Sequence, residues 1–210
     1  MHQCEAQKAV VANLKMDRVI VGYTNPLDIV LEGYKCSALE VTTNNGSIDK
    51  GEDDCNYNYI PEREGEAKII ISIKGKVVST KYFRARYIEM LPFATLCGRE
   101  RGVVKIDSNG IVSHYTGDLE GCSQLDADIH FTGDWDAGFR IKNYSVSILK
   151  ERDTTFTQKD IIGNLFPKNL KQQFKSIGQD SKLIFYGITA QGPDKRILEL
   201  SPIEFTIIKE

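Results

Sequence analysis

Residues 16–33, MDRVIVGYTNPLDIVLEG, constrain the fold more than any other stretch of the chain. Apolar side chains recur at every second position on both sides of Asn25-Pro26, as in a β-strand with one buried face. Proline cannot donate to a strand ladder, and it keeps the preceding residue out of the helical region. The pattern predicts two short strands joined by a kink, which is how a β-sandwich carries its first strand from one sheet to the other. An ordinary edge strand that tolerates a proline is the alternative. The alternating residues are Val19, Val21, Leu27, Ile29 and Leu31.

The length and the charge of the chain narrow the range of functions. Its 210 residues are enough for one large domain or two small ones. The 27 basic and 29 acidic residues nearly cancel, so there is no electrostatic basis for binding nucleic acid or an anionic membrane surface. No apolar run approaches the roughly 18 residues of a membrane-spanning helix, so no membrane span is predicted.

Short strands separated by turn signals dominate the chain. Residues 8–87 follow this pattern throughout, which is typical of an all-β sandwich. Pro92 ends a strand within residues 88–98, and a new series of strands begins at Val103. We therefore predict an all-β fold of two consecutive β-sandwich domains, an immunoglobulin-like one over residues 1–90 and a second over residues 91–210.

The second domain contains one segment with helical periodicity. Pro167 stands at the start of this segment and Gly178 at its end, and apolar residues between them recur at intervals of three and four. This predicts a single short helix over residues 167–177. A change of face near Lys142-Asn143 predicts a β-bulge, and Ser201-Pro202 predicts a break in the last strand.

The cysteines suggest a disulfide. No Cys-x-x-Cys pair occurs, so a structural zinc site is not indicated. We predict a bond between Cys36 and Cys55, which lie at the ends of two strands that would be neighbours. Separate buried thiols are the alternative, because five is an odd number. Cys97 lies in the apolar run LPFATLC and has the character of a core residue, so a bond to Cys122 is less favoured. The five are Cys4, Cys36, Cys55, Cys97 and Cys122.

Two similar segments could form a metal site. His114 and Asp118 recur in the same spacing as His130 and Asp134, and both pairs enclose Thr-Gly. Thr-Gly-Asp is also an ordinary turn sequence at the end of a strand, and this explanation is the simpler one.

Two further groups could bind a ligand. Glu52, Asp53 and Asp54 could hold calcium, but their spacing matches no EF-hand, and a solvated acidic loop is the favoured explanation. Trp135 with Phe131 could stack on a sugar, but packing over a loop is the commoner role of a lone aromatic side chain.

No sequence pattern indicates catalysis. Neither a Gly-x-Ser-x-Gly elbow nor a glycine-rich phosphate loop is present. We assign no catalytic, cofactor-binding or metal-binding residue and no cofactor, and predict a non-catalytic interaction module.

A series of short motifs resembles one protein family. Gly22, Asn25 and Pro26 resemble the opening of the C-terminal region of the gliding-motility protein family GldM, called PorM in bacteria that secrete but do not glide. Gly192, Pro193 and Asp194, followed by Leu-Ser-Pro-Ile-Glu-Phe at residues 200–205, resemble its end. Between them the resemblance includes Asn45-Gly46, Tyr59-x-Pro61, Gly65, Phe83-Arg84, Pro92-x-Ala94 and residues 137–147.

The resemblance implies a structural role in the cell envelope. The family is a periplasmic, dimeric subunit of the type IX secretion and gliding machinery, and its two C-terminal β-sandwich domains contact an outer-membrane-associated ring. The expected partners are therefore other envelope proteins, including secretion-machinery subunits, and the expected location is the periplasm or cell envelope. A stand-alone secreted β-sandwich that binds a carbohydrate or another envelope protein is the alternative.

The sequence also departs from the family. It lacks the membrane helix and the long helical region that precede these domains, so it is either a fragment or a short relative. We expect the short relative, with MHQCEAQ as the remnant of a removed signal peptide. Because the helical region that could enforce dimerisation is missing, we expect a monomer or a weak homodimer.

Overall fold

The computed structural model describes residues 9–13, 18–89, 91–114, 121–129, 138–151 and 153–209. The chain divides into two compact units, Met1–Glu89 and Met90–Glu210. Strands in several sheets make up most of the described residues, with one α-helix, so the predicted all-β class is confirmed. Among these residues no helix is long and apolar enough to cross a membrane.

The first unit contains two four-stranded sheets. One has the order β1-β3-β6-β5 and the other the order β2-β8-β7-β4. Apolar side chains from both sheets form one buried core, as in a β-sandwich. The strands are β1 (Ala9–Asn13), β2 (Arg18–Ile20), β3 (Asn25–Leu31), β4 (Glu40–Thr43), β5 (Ser47–Lys50), β6 (Asn56–Ile60), β7 (Gly65–Ile73) and β8 (Lys76–Arg86).

The kink at residues 21–24 carries the chain from one sheet to the other. β2 pairs with β8 in one sheet, whereas β3 pairs with β1 and β6 in the other. Pro26 lies opposite Asn58 of β6, and the described pairing of β3 with β1 covers Leu27 to Leu31. The missing N–H of proline therefore interrupts no described ladder. All five alternating residues are buried. The predicted sheet crossing is confirmed.

Asn25 is buried at this crossing and binds the backbone on both sides of it. Its side-chain oxygen accepts the N–H of Ile20 at 2.8 Å, and its amide nitrogen lies 3.0 Å from the Ile20 carbonyl oxygen. The same nitrogen donates to the carbonyls of Tyr23 at 2.8 Å and Tyr59 at 3.3 Å. One side chain thus satisfies backbone groups that the kink removes from the sheet.

A second buried asparagine, Asn45, holds the crossing from β4 to β5. Its side-chain oxygen accepts the N–H groups of Glu62 at 3.2 Å and Arg63 at 3.1 Å, and its amide donates to the Arg63 carbonyl at 2.8 Å. The Tyr59 hydroxyl donates to the Asn45 carbonyl at 2.8 Å. Burial raises the pKa of Tyr59, which keeps this hydroxyl a donor.

The second unit is built on a seven-stranded sheet. Its order is β11-β10-β17-β15-β13-β14, with β16 also paired to β15, and only β10 and β17 run parallel. β9 and β12 form a separate antiparallel pair. The elements are β9 (Phe93–Leu96), β10 (Arg101–Ile106), β11 (Val112–His114), β12 (Leu125–Asp128), β13 (Arg140–Lys150), β14 (Asp153–Ile162), α1 (Lys168–Ser176), β15 (Lys182–Gln191), β16 (Ile197–Leu200) and β17 (Ile203–Lys209).

Three neighbouring strands of this sheet are irregular at the same level. The register of β13 slips against β15 between Ile141 and Ser145, and against β14 just after Tyr144. Asp160 of β14 and Gly187 of β15 have φ angles of 53° and 57°. The Ser145 hydroxyl accepts the N–H of Asp160 at 3.2 Å, which satisfies a group that the bulge takes out of the ladder. The bulge predicted near Lys142-Asn143 is confirmed.

The helix covers one face of the sheet through an aromatic cluster. The rings of Phe166 and Phe174 lie 5.6 Å apart in an edge-to-face arrangement, and Phe166 stacks on Phe185 of β15 at 5.9 Å. The Tyr144 hydroxyl donates to the Leu165 carbonyl at 2.9 Å, and burial raises the pKa of Tyr144. The predicted helix is confirmed, with Pro167 one position before its first residue.

The structure contains strands that the sequence pattern does not predict. β9 lies in the segment interpreted as a boundary, although Ala94 and Leu96 are fully buried. β14 has few apolar residues because most of its side chains are exposed at the edge of the sheet, so it carries no alternating pattern. The predicted break at Ser201-Pro202 is confirmed, since β16 ends before it and β17 begins after it.

Gly46 and Gly33 form a matched pair for testing the second crossing. Both have positive φ angles, 87° and 82°, but a Cβ on Gly46 would overlap the Ile60 carbonyl oxygen and lie 2.8 Å from the Pro61 Cα, whereas one on Gly33 meets nothing within 4 Å. We expect Gly33→Ala to lower the free energy of unfolding by about 1–2 kcal/mol from the strained φ alone. Gly46→Ala should add an overpacking cost of about 1–3 kcal/mol. Urea unfolding followed by far-UV circular dichroism measures both, and equal losses would contradict the predicted clash.

Candidate interaction surfaces

The structure brings Cys36 and Cys55 together as a disulfide. Their Cα atoms lie 5.0 Å apart, Cys36 in the short 3-10 turn after β3 and Cys55 just before β6. The bond closes the segment that holds the acidic loop 52–54. Backbone bonds within this loop, from Asn56 N–H to the Asp53 carbonyl at 3.0 Å and from Gly51 N–H to the Asn56 carbonyl at 2.9 Å, fix it further.

A second disulfide joins Cys97 to Cys122, with Cα atoms 5.5 Å apart. The interpretation of Cys97 as a core residue is wrong. The strand ends at Leu96, and Cys97 is half-buried in the turn that Leu96 and Arg99 close with bonds of 2.8 and 3.0 Å. Cys122 is placed opposite by the bond from its N–H to the Val112 carbonyl at 2.7 Å. The apolar run predicts burial up to Leu96, but it does not predict the turn that follows.

The Gly192-Pro193-Asp194 motif forms the turn between β15 and β16. A Cβ on Gly192 would lie 2.8 Å from the Phe139 ring, so any other residue here would force the ring or the turn to shift. The Asp194 carboxylate is fully buried and accepts from the Arg196 backbone N–H at 3.1 Å and its guanidinium at 2.7 Å. These motif residues have a structural role in the turn.

A groove of about 510 Å³ runs between helix α1 and two loops of the second unit. Asn109, Gly110 and Ile111 form one wall, and residues 121–123 lie beside them. The helix contributes Lys168, Lys171 and Lys175 at its rim, and among the described residues that line the groove none is acidic. Phe166 and Phe174 lie beneath them. The result is an apolar floor with a positively charged rim.

A comparison with protein families identifies the chain. A family model described as the GldM C-terminal domain matches residues 103–208, which is half of the sequence. The chain belongs to the GldM C-terminal domain family. The match lies within the second unit and includes Gly192, Pro193 and Asp194, whereas Gly22, Asn25 and Pro26 lie outside it. The resemblance inferred from the sequence is confirmed.

Other comparisons add no argument about function. No curated protein sequence matches the GldM-family chain. Solved structures that match include the Yersinia pseudotuberculosis adhesin InvE, with 11% identity over 96% of this chain and a TM-score of 0.30, and the chain spans 58% of that adhesin structure. Human mucin-like protocadherin EC1-2 matches with 12% identity, over 98% of this chain and 99% of its own, at a TM-score of 0.27. Domains 6–7 of surface layer protein SbsC match with 8% identity, over 96% of this chain and 97% of that structure, at a TM-score of 0.30.

The structure describes only some of the residues that the sequence suggested for metal or sugar binding. Asp118, His130, Phe131, Asp134, Trp135 and the His114 side chain lie outside the described residues. Glu52, Asp53 and Asp54 are exposed, and Asp54 lies 3.8 Å from Lys50. Across the described ranges, no group of three or more His, Cys, Asp or Glu residues is placed to hold a metal ion.

β14 is a ten-residue strand at an edge of the large sheet, and its irregularity protects that edge. Its pairing with β13 skips Thr155 and slips again at residues 159–160. Lys159 adds an exposed charge. Bulges and lysines are features by which proteins prevent unwanted pairing at an edge strand. Contacts of the GldM-family chain are therefore expected at loops and grooves rather than along this strand.

A second groove of about 420 Å³ borders β12 and β13. Leu125, Phe139 and Ile141 contribute apolar surface, and Arg140 and Lys142 contribute positive charge. The exposed Ile162, with 91% of its surface accessible, lies at its edge.

The disulfides predict a specific count of reactive thiols. The GldM-family chain unfolded in guanidinium without reductant should show one reactive thiol, that of Cys4, and five after reduction. Peptide mapping should link Cys36 to Cys55 and Cys97 to Cys122. The Cys36–Cys55 bond closes a loop of 19 residues and the Cys97–Cys122 bond one of 25. Each bond stabilises the fold by about 3 kcal/mol through chain entropy. Five reactive thiols before reduction would show that neither bond forms.

Proposed function

We propose that this chain is a non-catalytic, extracytoplasmic interaction protein of the type IX secretion and gliding machinery. The family match over residues 103–208 carries this proposal. The machinery acts through contacts between envelope proteins, so the chain would bind other subunits rather than transform a substrate. Two disulfides in one chain favour an oxidising compartment such as the periplasm. We further propose that residues 1–90 and 91–210 are separate domains.

Photo-crosslinking in the cell envelope tests the proposed role. The chain would be exported in a bacterium that has this machinery, with photo-leucine incorporated, and crosslinked proteins identified by mass spectrometry. We expect enrichment of secretion-machinery subunits over an unrelated exported β-sandwich protein used as control. Binding on a glycan array without such crosslinks would support the stand-alone carbohydrate-binding alternative and contradict the proposal.

The edges of the sheets favour a monomer or a weak dimer. β14 is interrupted by bulges, and the edge strands of the first unit each contain three to five described residues. Short or irregular edges provide few continuous backbone bonds for self-association. We expect the sedimentation coefficient to be that of a monomer at low concentration and to rise with concentration at most weakly. A tight dimer that does not depend on concentration would contradict this.

A further inference from the structure

The groove beside helix α1 has a preformed wall. Gly110 lies against the helix so closely that a Cβ there would be 2.9 Å from the Lys175 Cγ and 3.0 Å from the Lys171 carbonyl oxygen. The Asp107 carboxylate accepts the N–H groups of Ile111 at 2.7 Å and Asn109 at 2.9 Å, which holds the turn in shape. These hydrogen bonds lower the pKa of Asp107, and the bond from the Ile111 N–H contributes most. The carboxylate therefore stays charged, and its charge is compensated by the N–H groups of the turn.

The rim of the groove carries three lysines, and none of them has an ionic partner among the described residues. Lys168, Lys171 and Lys175 are spaced three and four residues apart, so they lie along one side of the helix. The helix contains no acidic residue, and within the described part of the chain none of the three lysines forms an ion pair. A further ammonium group, that of Lys209, lies at the C-terminal end of the helix, where it donates to the carbonyls of Phe174 at 3.3 Å and Lys175 at 3.0 Å.

The floor of the same groove offers apolar contact. Ile111 exposes half of its surface, and Phe166 and Phe174 close the groove from below with the Cys97–Cys122 disulfide beside them. A volume of about 510 Å³ lies within the usual range for ligand sites. The occupant that fits combines negative charges with an apolar side chain.

The distance between the lysines favours a peptide over a single small anion. The helix rises about 1.5 Å per residue, so Lys168 and Lys175 are separated by roughly 10 Å along its axis. A single phosphate or carboxylate would draw the three flexible lysine side chains together, whereas a segment with several acidic groups can pair with each lysine where it lies. An extended chain covers roughly the same distance in three residues, at about 3.3 Å per residue.

We propose that this lysine groove, defined by Ile111, Phe166, Lys168, Lys171, Phe174 and Lys175, binds an extended acidic segment of a partner protein. Acidic side chains of the segment pair with the three lysines, and one apolar side chain packs on Ile111. The inference rests on the proposed function, because it names the part of the chain that would contact an envelope partner. Electrostatic attraction brings the segment to the rim, and the apolar contact selects its register.

Fluorescence anisotropy with a labelled peptide tests the groove directly. The probe is a short peptide of alternating glutamate and glycine with one central phenylalanine, and its counterpart carries glutamine in place of glutamate. We expect the acidic probe to bind, the glutamine probe to bind at least about tenfold more weakly, and affinity to fall as salt is raised. No binding of the acidic probe, or equal binding of both, would overturn the proposal.

Two variants with equal charge change locate the binding. The groove variant combines Lys168→Gln, Lys171→Gln and Lys175→Gln, and the control combines Lys142→Gln, Lys159→Gln and Lys195→Gln, three exposed lysines away from this groove in the same unit. We expect about a tenfold loss of affinity in the first and less than about twofold in the second. Unchanged thermal unfolding shows that both fold. Equal losses of affinity in the two variants would show that the peptide binds without a defined site. Binding of heparin in place of the peptide would assign the groove to a polysaccharide. Either result overturns the proposal.

The photo-crosslinking experiment separates this proposal from the proposed function. If the groove variant still crosslinks to machinery subunits as the wild-type chain does, the proposed function stands and the groove proposal fails. If the wild-type chain crosslinks to no such subunit but binds the acidic probe through the groove, the proposed function fails and the acidic specificity of the groove stands.

Discussion

The fold of the first unit depends on a set of hydrogen bonds that joins Asn25, Tyr59 and Asn45. The Asn25 amide donates to the Tyr59 carbonyl, and the Tyr59 hydroxyl donates to the Asn45 carbonyl, so two sheet crossings are linked through one fully buried tyrosine. A crossing takes backbone groups out of a sheet, and buried groups without partners cost about 1–3 kcal/mol each. The two asparagines supply these partners, which is why the chain can change sheets inside a closed core.

The second unit accommodates its bends differently. β14, β13 and β15 change register or backbone conformation at one level, at Asp160, Ser145 and Gly187, and the Ser145 hydroxyl there accepts the N–H of Asp160. The same irregularity interrupts the exposed edge of β14. The bulges and the protection of this edge therefore have one structural origin.

Rigid supports surround the lysine groove. The Cys97–Cys122 disulfide, the Asp107 turn and the aromatic cluster beneath α1 each constrain one side of it. A preformed site loses less conformational entropy on binding than a mobile one, so weak surface charge pairs can still yield specific recognition.

Local patterns in the sequence predicted the elements whose cause is local. The alternation of Val19, Val21, Leu27 and Ile29 around Pro26 predicted the sheet crossing, because period two and the missing proline N–H act within one segment. The spacing after Pro167 predicted the helix for the same reason. Tertiary structure alone decided what depends on distant segments. The exposed side chains of β14 carry no alternation that a sequence pattern could show. The turn at Cys97 is closed by backbone bonds with Arg99, and Cys122 lies opposite it. The three lysines form the rim of a groove only because the turn at Gly110, remote in sequence, packs against their helix.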